Sequence, residues 1–289
     1  MDVRAILMGL AFAVMWSSAF TSARIIVEYA SPLAALSLRY LISGLLGVGI
    51  ALALGQSWRL TPAQWRATAI FGILQNAVYL GLNFVAMQTV EASLAAIIAS
   101  TMPLLVGLAA WVALGERLRP LGIAGLVAGV IGVALIMGAR LSAGGDLWGV
   151  ALCAVGVMAL TAATLLVRGA TSGGNFLMVV GLQMLFGFVA LALATLLFET
   201  PRVDPTWPLA LAFTYTCLVP GLLATVTWFW LVNRIGATRA ATFHFLNPFF
   251  GVAIAAVLLG ERLGGRDILG VTIIAAGILA VQLSRQKPA

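Results

Sequence analysis

Gln75, Tyr79 and Asn83 follow one another at four-residue intervals inside a long apolar run, with Asn76 beside them. On a helix that spacing puts three hydrogen-bonding groups on one face. In lipid such a stripe has to turn into a bundle or a wet cavity. His244, the single histidine, stands in another apolar run, three residues before Asn247 and Pro248. An ionisable group placed there is a candidate ligand or titrating group. The plainer alternative is a neutral imidazole bonded to a neighbouring helix. Trp16, Tyr40 and Trp228 also sit within runs, close in sequence to Ser17, Arg39 and Thr225. Such rings suit a cavity wall that stacks on a flat or apolar ligand. Trp58, Trp65, Trp148 and Trp207 stand near the ends of runs and fit an interfacial belt instead.

Two prolines, Pro103 and Pro248, stand in the middle of runs. Each removes a donor from the preceding turn and kinks the helix. The simple reading is a kink. The sharper one is a gating point whose freed carbonyls line a cavity and accept from a ligand ammonium. Arg39 is the one basic residue well inside a run. It can snorkel or bond carbonyls between helices, or hold a carboxylate in a bidentate contact. The structural role ranks first.

Several chemistries are missing. The apolar runs carry no Asp or Glu, which argues for facilitated transport or for coupling through His244 or backbone carbonyls. No phosphate-cradling Gly-x-x-x-x-Gly-Lys-Ser/Thr loop occurs, so ATP is not expected to drive the protein. His-Glu-x-x-His and Gly-x-Ser-x-Gly are absent too, so no catalytic residue is assigned. Cys153 and Cys217 stand singly in apolar runs and read as packing residues, so no metal and no cofactor is expected.

The elements that must position these residues follow from composition. Of 289 residues, 62% are hydrophobic and 9% charged. Soluble domains carry about 25% charged residues, so this is the composition of a membrane protein. The net charge of +7 bears on membrane orientation rather than on nucleic acid, since no basic cluster with interleaved aromatics exists. Ten segments reach the roughly 20 apolar residues that a spanning helix needs: about 3–23, 33–54, 66–88, 92–114, 121–139, 147–167, 175–198, 207–232, 238–260 and 267–284. Backbone groups in lipid must be paired internally, and no period-2 alternation supports a barrel, so the class is all-α integral membrane. The first segment runs on at full length past Thr21-Ser22-Ala23. It is therefore expected to be a spanning helix, not a cleaved leader.

The chain also repeats itself. Shifted by 145 positions, Pro103 falls on Pro248 and Gly115-Glu116-Arg117-Leu118 on Gly260-Glu261-Arg262-Leu263. Gly125 and Gly132 fall on Gly270 and Gly277, and Asn83 falls on Trp228, so those two are expected to face each other across the pseudo-axis. Gly125-x-x-x-Gly129 in span 5 predicts close helix packing, either as scaffold or as a subunit contact. Two repeats are expected, residues 1–144 and 145–289. Five spans per repeat is an odd number, so the second enters the membrane upside down relative to the first. Ten Lys and Arg residues then fall on the side of the termini and five on the other. The positive-inside rule therefore puts both termini in the cytoplasm.

Taken together, the two five-span halves, Trp16-Ser17-Ser18-Ala19-Phe20 in span 1, Arg39 in span 2, and proline followed by Gly-Glu-Arg-Leu in both halves resemble the drug/metabolite transporter superfamily. In particular they are similar to its EamA-type ten-span exporters. Within these, the chain looks similar to aromatic amino-acid exporters of the bacterial inner membrane. The resemblance implies export of hydrophobic and aromatic amino acids by alternating access, through a central cavity walled by spans 1, 3, 4, 6, 8 and 9. Gln75, Tyr79, Asn83 and His244 would hold the polar end, with Ser17 and Asn247 beside them. Trp16, Tyr40 and Trp228 would hold the apolar end. The expected partners are a small amino acid and the lipid bilayer, with the protein monomeric. Nucleobases or amphipathic drugs, with proton coupling, are the alternative cargo, and a structural membrane subunit is the alternative class.

Overall fold

A computed structural model describes residues 3–116, 118–142, 146–166 and 173–284. Arg117 of the repeated block, and Arg168, Arg285 and Lys287 of the charge count, lie outside the described residues. Ten helices are long and apolar enough to span a membrane. They are α1 (Val3–Tyr29), α2 (Pro32–Ala53), α3 (Pro62–Ala86), α4 (Ala92–Ala113), α5 (Pro120–Gly138), α6 (Leu147–Leu166), α7 (Phe176–Phe198), α8 (Trp207–Ile235), α9 (Arg239–Leu259) and α10 (Gly265–Ser284). The protein is thus an all-α multi-pass membrane protein.

Several helices outrun the apolar segment that predicts them. A helix persists where its end turns are capped or leave the lipid, and hydropathy does not register this. So Glu28 lies in the last turn of α1, past the segment 3–23, while Asp267, the first residue of the segment 267–284, lies in the first turn of α10. The expectation that no span holds an acid therefore holds for the helix middles only. The start of α3 is set by a capping box: the Thr61 side chain accepts from the Gln64 N–H, and the Gln64 side chain accepts from the Thr61 N–H.

The 145-residue repeat is visible in the backbone. A π-helical stretch interrupts α3 at Gly72–Tyr79 and α8 at Cys217–Leu223. α4 breaks at Thr101 and resumes at Met102–Leu114, while α9 tightens into a 3-10 turn at Thr242–Leu246 and resumes at Asn247–Leu259. Both resumed helices end on a left-handed glycine, Gly115 and Gly260, each with φ 67°. The next helices begin at Pro120 and Gly265, again 145 residues apart.

The most extensive pairings join equivalent helices, α2 with α7 and α5 with α10. Lipid supplies no hydrophobic drive between helices, so close van der Waals packing has to hold them. In α5–α10 the backbones touch. A Cβ on Gly125 would lie 2.6 Å from the Gly277 carbonyl oxygen, and one on Gly277 2.6 Å from that of Gly125. Gly132 and Gly270 meet in the same reciprocal way, at 2.8 and 3.0 Å. Gly125 and Gly270 are equivalent, as are Gly132 and Gly277. This crossed pattern between antiparallel helices is what a two-fold axis between the copies generates, and it is consistent with the inverted repeat. Gly129 turns its Cα hydrogens toward Leu104 of α4, while its backbone lies against Gly277 of α10.

The two ends of the bundle differ. At the end away from the termini, several ties cross from one half to the other. Glu199 accepts from the Leu33 and Ala34 N–H groups, both at 3.0 Å, at the start of α2. Glu261 accepts from the Ala92 and Ser93 N–H groups, at 2.8 and 3.0 Å, at the start of α4. Asp146 accepts from the Thr89 hydroxyl at 2.5 Å while capping α6, and Ser31 exchanges bonds with Arg202. Within the first half, Arg24 adds a bond from α1 to the Met87 carbonyl. At the end carrying the termini, Asn175 accepts from the Ser57 N–H and Gln56 from the Met178 N–H, which joins α2 to α7.

Candidate functional site

A cavity of about 970 Å³ occupies the middle of the bundle and reaches the end that carries the termini. Glu116, Leu118, Arg119, Phe176, Gln282 and Ser284 line its mouth. Its wall comes from α1, α3, α4, α6, α8 and α9, as expected, and also from α7 and α10. The volume is at the upper end for a site that encloses one small molecule. Farther in, among the described lining residues, no Asp, Glu, Lys or Arg faces it.

One pole of the cavity is a carboxamide and phenol cluster on α3 and α7. The π-stretch of α3 carries Gln75 and Tyr79 into the wall, and Gln183 of α7 stands beside it. Gly72 lets α3 close on α7, because a Cβ there would lie 2.4 Å from the Gln183 carbonyl oxygen. Asn76 locks this contact by donating to the same oxygen at 3.0 Å. The amides of Gln75 and Gln183 and the Tyr79 hydroxyl have no protein partner among the described residues. The hydroxyls of Ser100, Thr164 and Thr225 also line the cavity, but each donates to a carbonyl of its own helix. The unfilled bonding capacity of this pole therefore belongs to two glutamines and a tyrosine.

The other pole is a ring cluster on α1, α8 and α9. Phe12 is 5.7 Å from Trp16, 4.7 Å from Trp228 and 5.4 Å from His244, centroid to centroid. Trp228 and His244 are 5.1 Å apart, and Trp16 and His244 6.5 Å. His244 sits on the 3-10 turn just before Pro248, and its Nδ1 is 2.9 Å from the Asn247 side-chain nitrogen. Ser17 steadies this turn by donating to the Asn247 carbonyl at 3.2 Å. Next to it, the Ser18 hydroxyl bonds Tyr215 at 2.7 Å.

Gln75, Tyr79, Trp16, Trp228, His244, Asn247 and Pro103 thus line the cavity. Asn83, Ser17, Tyr40, Pro248 and Arg39 are buried outside its wall. The π-stretch breaks the four-residue stripe: below it Asn83 turns toward α6, where it donates to the Tyr79 carbonyl and abuts Gly156. Trp228 takes the equivalent place against α1, so Asn83 and Trp228 do not form opposite walls. His244 belongs with the rings rather than with Gln75 and Tyr79. Arg39 and Ser43 pack on the π-stretch of α8, where Ser43 donates to the Cys217 carbonyl and the Arg39 guanidinium is 3.9 Å from a Cβ placed on Gly221. At the helix breaks, carbonyls find protein donors. Ser100 and Thr101 hydroxyls serve Ile97 and Ile98, and the Asn247 N–H serves His244.

Two wall residues escape the sequence reading. Phe12 lies one turn before Trp16 on the same face. Gln183 is the one carboxamide in α7, a signal of inward orientation in its own right. No group of three or more potential metal ligands occurs among the described residues.

The model of the EamA-like transporter family matches residues 3–138 and 147–283, one match per repeat. The uncharacterized transporter YvbV of Bacillus subtilis is 25% identical over 269 residues, with 93% of this chain and 88% of that protein covered. Protein PecM of Dickeya dadantii is 26% identical over 250 residues, covering 84% and 83%. A probable amino-acid metabolite efflux pump of Salmonella typhimurium is 38% identical over 68 residues, covering 24% and 23%. One crystal structure superposes with a TM-score of 0.71 at 24% identity over 98% of both chains, a likeness of fold.

Proposed function

The chain belongs to the EamA-like transporter family, and we propose that it exports hydrophobic and aromatic amino acids from the cytoplasm as a uniporter working by alternating access. One observation carries this reading: a central cavity with an amide and phenol pole, a ring pole and, among the described lining residues, no ionised group beyond its mouth. Taking an ion out of water costs several kcal/mol unless it is paired. A wall of neutral donors and acceptors therefore favours solutes without net charge. A zwitterion with an apolar side chain is such a solute. Its carboxylate can accept from the Gln75 and Gln183 amides and the Tyr79 hydroxyl, and its ammonium can donate to the amide oxygens. Its side chain then reaches toward Phe12, Trp16 and Trp228. The partial likeness to amino-acid metabolite efflux pumps agrees with this cargo.

In this account both termini face the cytoplasm of a bacterial inner membrane, so the structure is the inward-open form. Substrate bound at mid-depth lets one set of helices rock against the other and transfers the opening to the far side. The protein works as a monomer, without ATP or a cofactor.

Counterflow into proteoliposomes holding only this protein tests the reading. Labelled phenylalanine should exchange against internal phenylalanine without a pH gradient, while labelled uracil should not. Exchange of uracil alone would move the cargo to nucleobases, whose edges the two glutamines could also read. Dependence on a proton gradient would contradict uniport, and no exchange of any amino acid would sink the reading.

A further inference from the structure

Resting on the amino-acid reading, we infer that His244 is a specificity-determining donor: it selects substrate rings that carry a hydrogen-bond acceptor, such as a phenol, over plain phenyl rings. The argument begins with the imidazole's tautomer. The Asn247 side-chain nitrogen carries only N–H donors, and it stands 2.9 Å from His244 Nδ1. With the amide in this orientation its buried Oδ1 has no hydrogen-bond partner among the described residues and Nδ1 accepts, which assigns the ring proton of the neutral imidazole to Nε2. Asn247 is itself held in place, since Ser17 of α1 donates to its carbonyl and the following Pro248 fixes the start of the resumed helix. The proton on Nε2 is therefore set by a chain of bonds running from α1 into α9.

Nε2–H has no protein acceptor among the described residues. Its surroundings are rings: Phe12 and Trp16 meet the imidazole edge-on at 88° and 87°, and Trp228 lies tilted at 56°. An N–H over a ring face is a second-order interaction, weaker than N–H to oxygen. The pole that receives the substrate's apolar side chain thus holds, beside the indole N–H groups of Trp16 and Trp228, an imidazole N–H without a strong acceptor, on a residue of the cavity wall. A phenyl group entering the box leaves that donor unfilled and shuts water away from it. A phenol places its oxygen among the rings and fills it. Sites built around a hydrogen bond reject the analogue that lacks the group far better than apolar pockets reject an extra one.

Ser17 and Asn247 act here as positioning residues and not as ligands. Among the described residues, no Asp, Glu, Lys or Arg lines the cavity beside these rings.

Competition against bound labelled tyrosine in detergent, scored with unlabelled tyrosine and phenylalanine, tests the inference. The wild type should prefer tyrosine by roughly tenfold, the ratio that one neutral hydrogen bond of about 1.4 kcal/mol supplies. His244→Phe should bring the tyrosine-to-phenylalanine ratio near one, each affinity being measured on the variant itself. His244→Gln, which keeps an N–H donor, should restore part of the preference. A wild-type ratio near one would overturn the inference and leave the amino-acid reading standing, as would a ratio unchanged in His244→Phe. Failure of the wild type to bind either amino acid would overturn both. If His244→Phe does not fold, Asn247→Leu serves as the second variant. It frees the imidazole from its fixed tautomer, and the tyrosine-to-phenylalanine ratio measured on that variant should fall.

Discussion

α5 and α10 are straight, apolar through their middles and joined glycine to glycine. α3 and α8, and α4 and α9, are interrupted at matching places by π-stretches, a break and a 3-10 turn. All of these are pairs of repeat equivalents. The duplicated chain has kept the same backbone devices in both halves, but around the interruptions it has kept few of the same side chains, Pro103 and Pro248 among them. The interrupted helices carry Gln75 and Tyr79 in one copy and Pro220 in the other, or Met102 against Asn247. π-stretches and 3-10 turns within helices tend to mark functional positions. Here the stretch in α3 brings Gln75 and Tyr79 to the cavity and the turn in α9 brings His244, while the stretch in α8 packs against Arg39 and Ser43.

The largest effect should come from the scaffold pair. Gly277→Leu drives a side chain into the Gly125 backbone, and overpacking of that kind costs about 1–3 kcal/mol or more. Thermal unfolding in detergent should fall by many degrees, and transport should vanish with it. Gly138→Leu, where nothing lies within 4 Å of a new Cβ, should leave both unchanged. Equal tolerance at the two positions would break the distinction between scaffold and site.

The interrupted helices should behave in the opposite way. Gln75→Leu and Gln183→Leu remove amides that have no other work in the fold. Each should lower counterflow roughly 10- to 100-fold, the loss of a hydrogen bond to a charged group worth about 1.5–3 kcal/mol. Unfolding temperatures should stay within a degree or two. A parallel loss of stability would make these amides structural.

A smaller effect is expected at the closed end. Asp146 is half-buried, and its carboxyl is held below the usual carboxylate range, first by the Thr89 hydroxyl and then by the Gly149 and Trp148 N–H groups. A depressed folded-state pKa contributes stability above the ordinary carboxylate pKa and loses it as pH falls through the folded value. Unfolding followed by tryptophan fluorescence should show a slight acid-side destabilisation that Asp146→Asn abolishes. An identical acid limb in the variant would remove Asp146 from the account.

Most of the architecture is legible in the sequence because a spanning helix is specified by length and hydropathy, and the repeat by one proline and a four-residue block. The site is legible where helical spacing holds. Trp16, Gln75, Tyr79, Trp228, His244 and Asn247 all reach the cavity. Asn83 does not, because a π-stretch between it and Gln75 alters the angle per residue, and no single side chain announces such a stretch. Tyr40 and Arg39 share a helix whose polar face packs on α8, so polarity in lipid marked burial without marking the cavity. Gln183 shows the converse. A single amide in an apolar helix carries no spacing pattern, yet it stands beside Gln75 once α7 meets α3.

The central claim is that the opening alternates between the two ends. Ser93 tests it, buried at the closed end where its N–H is held by Glu261. Ser93→Cys in a protein with Cys153→Ala and Cys217→Ala can be labelled from that side with a membrane-impermeant maleimide in oriented proteoliposomes. The account predicts slow labelling at rest, faster labelling when phenylalanine is added, and fast labelling without it once Glu261→Gln weakens the tie. Labelling that stays slow under all three conditions, while phenylalanine is still transported, would contradict it.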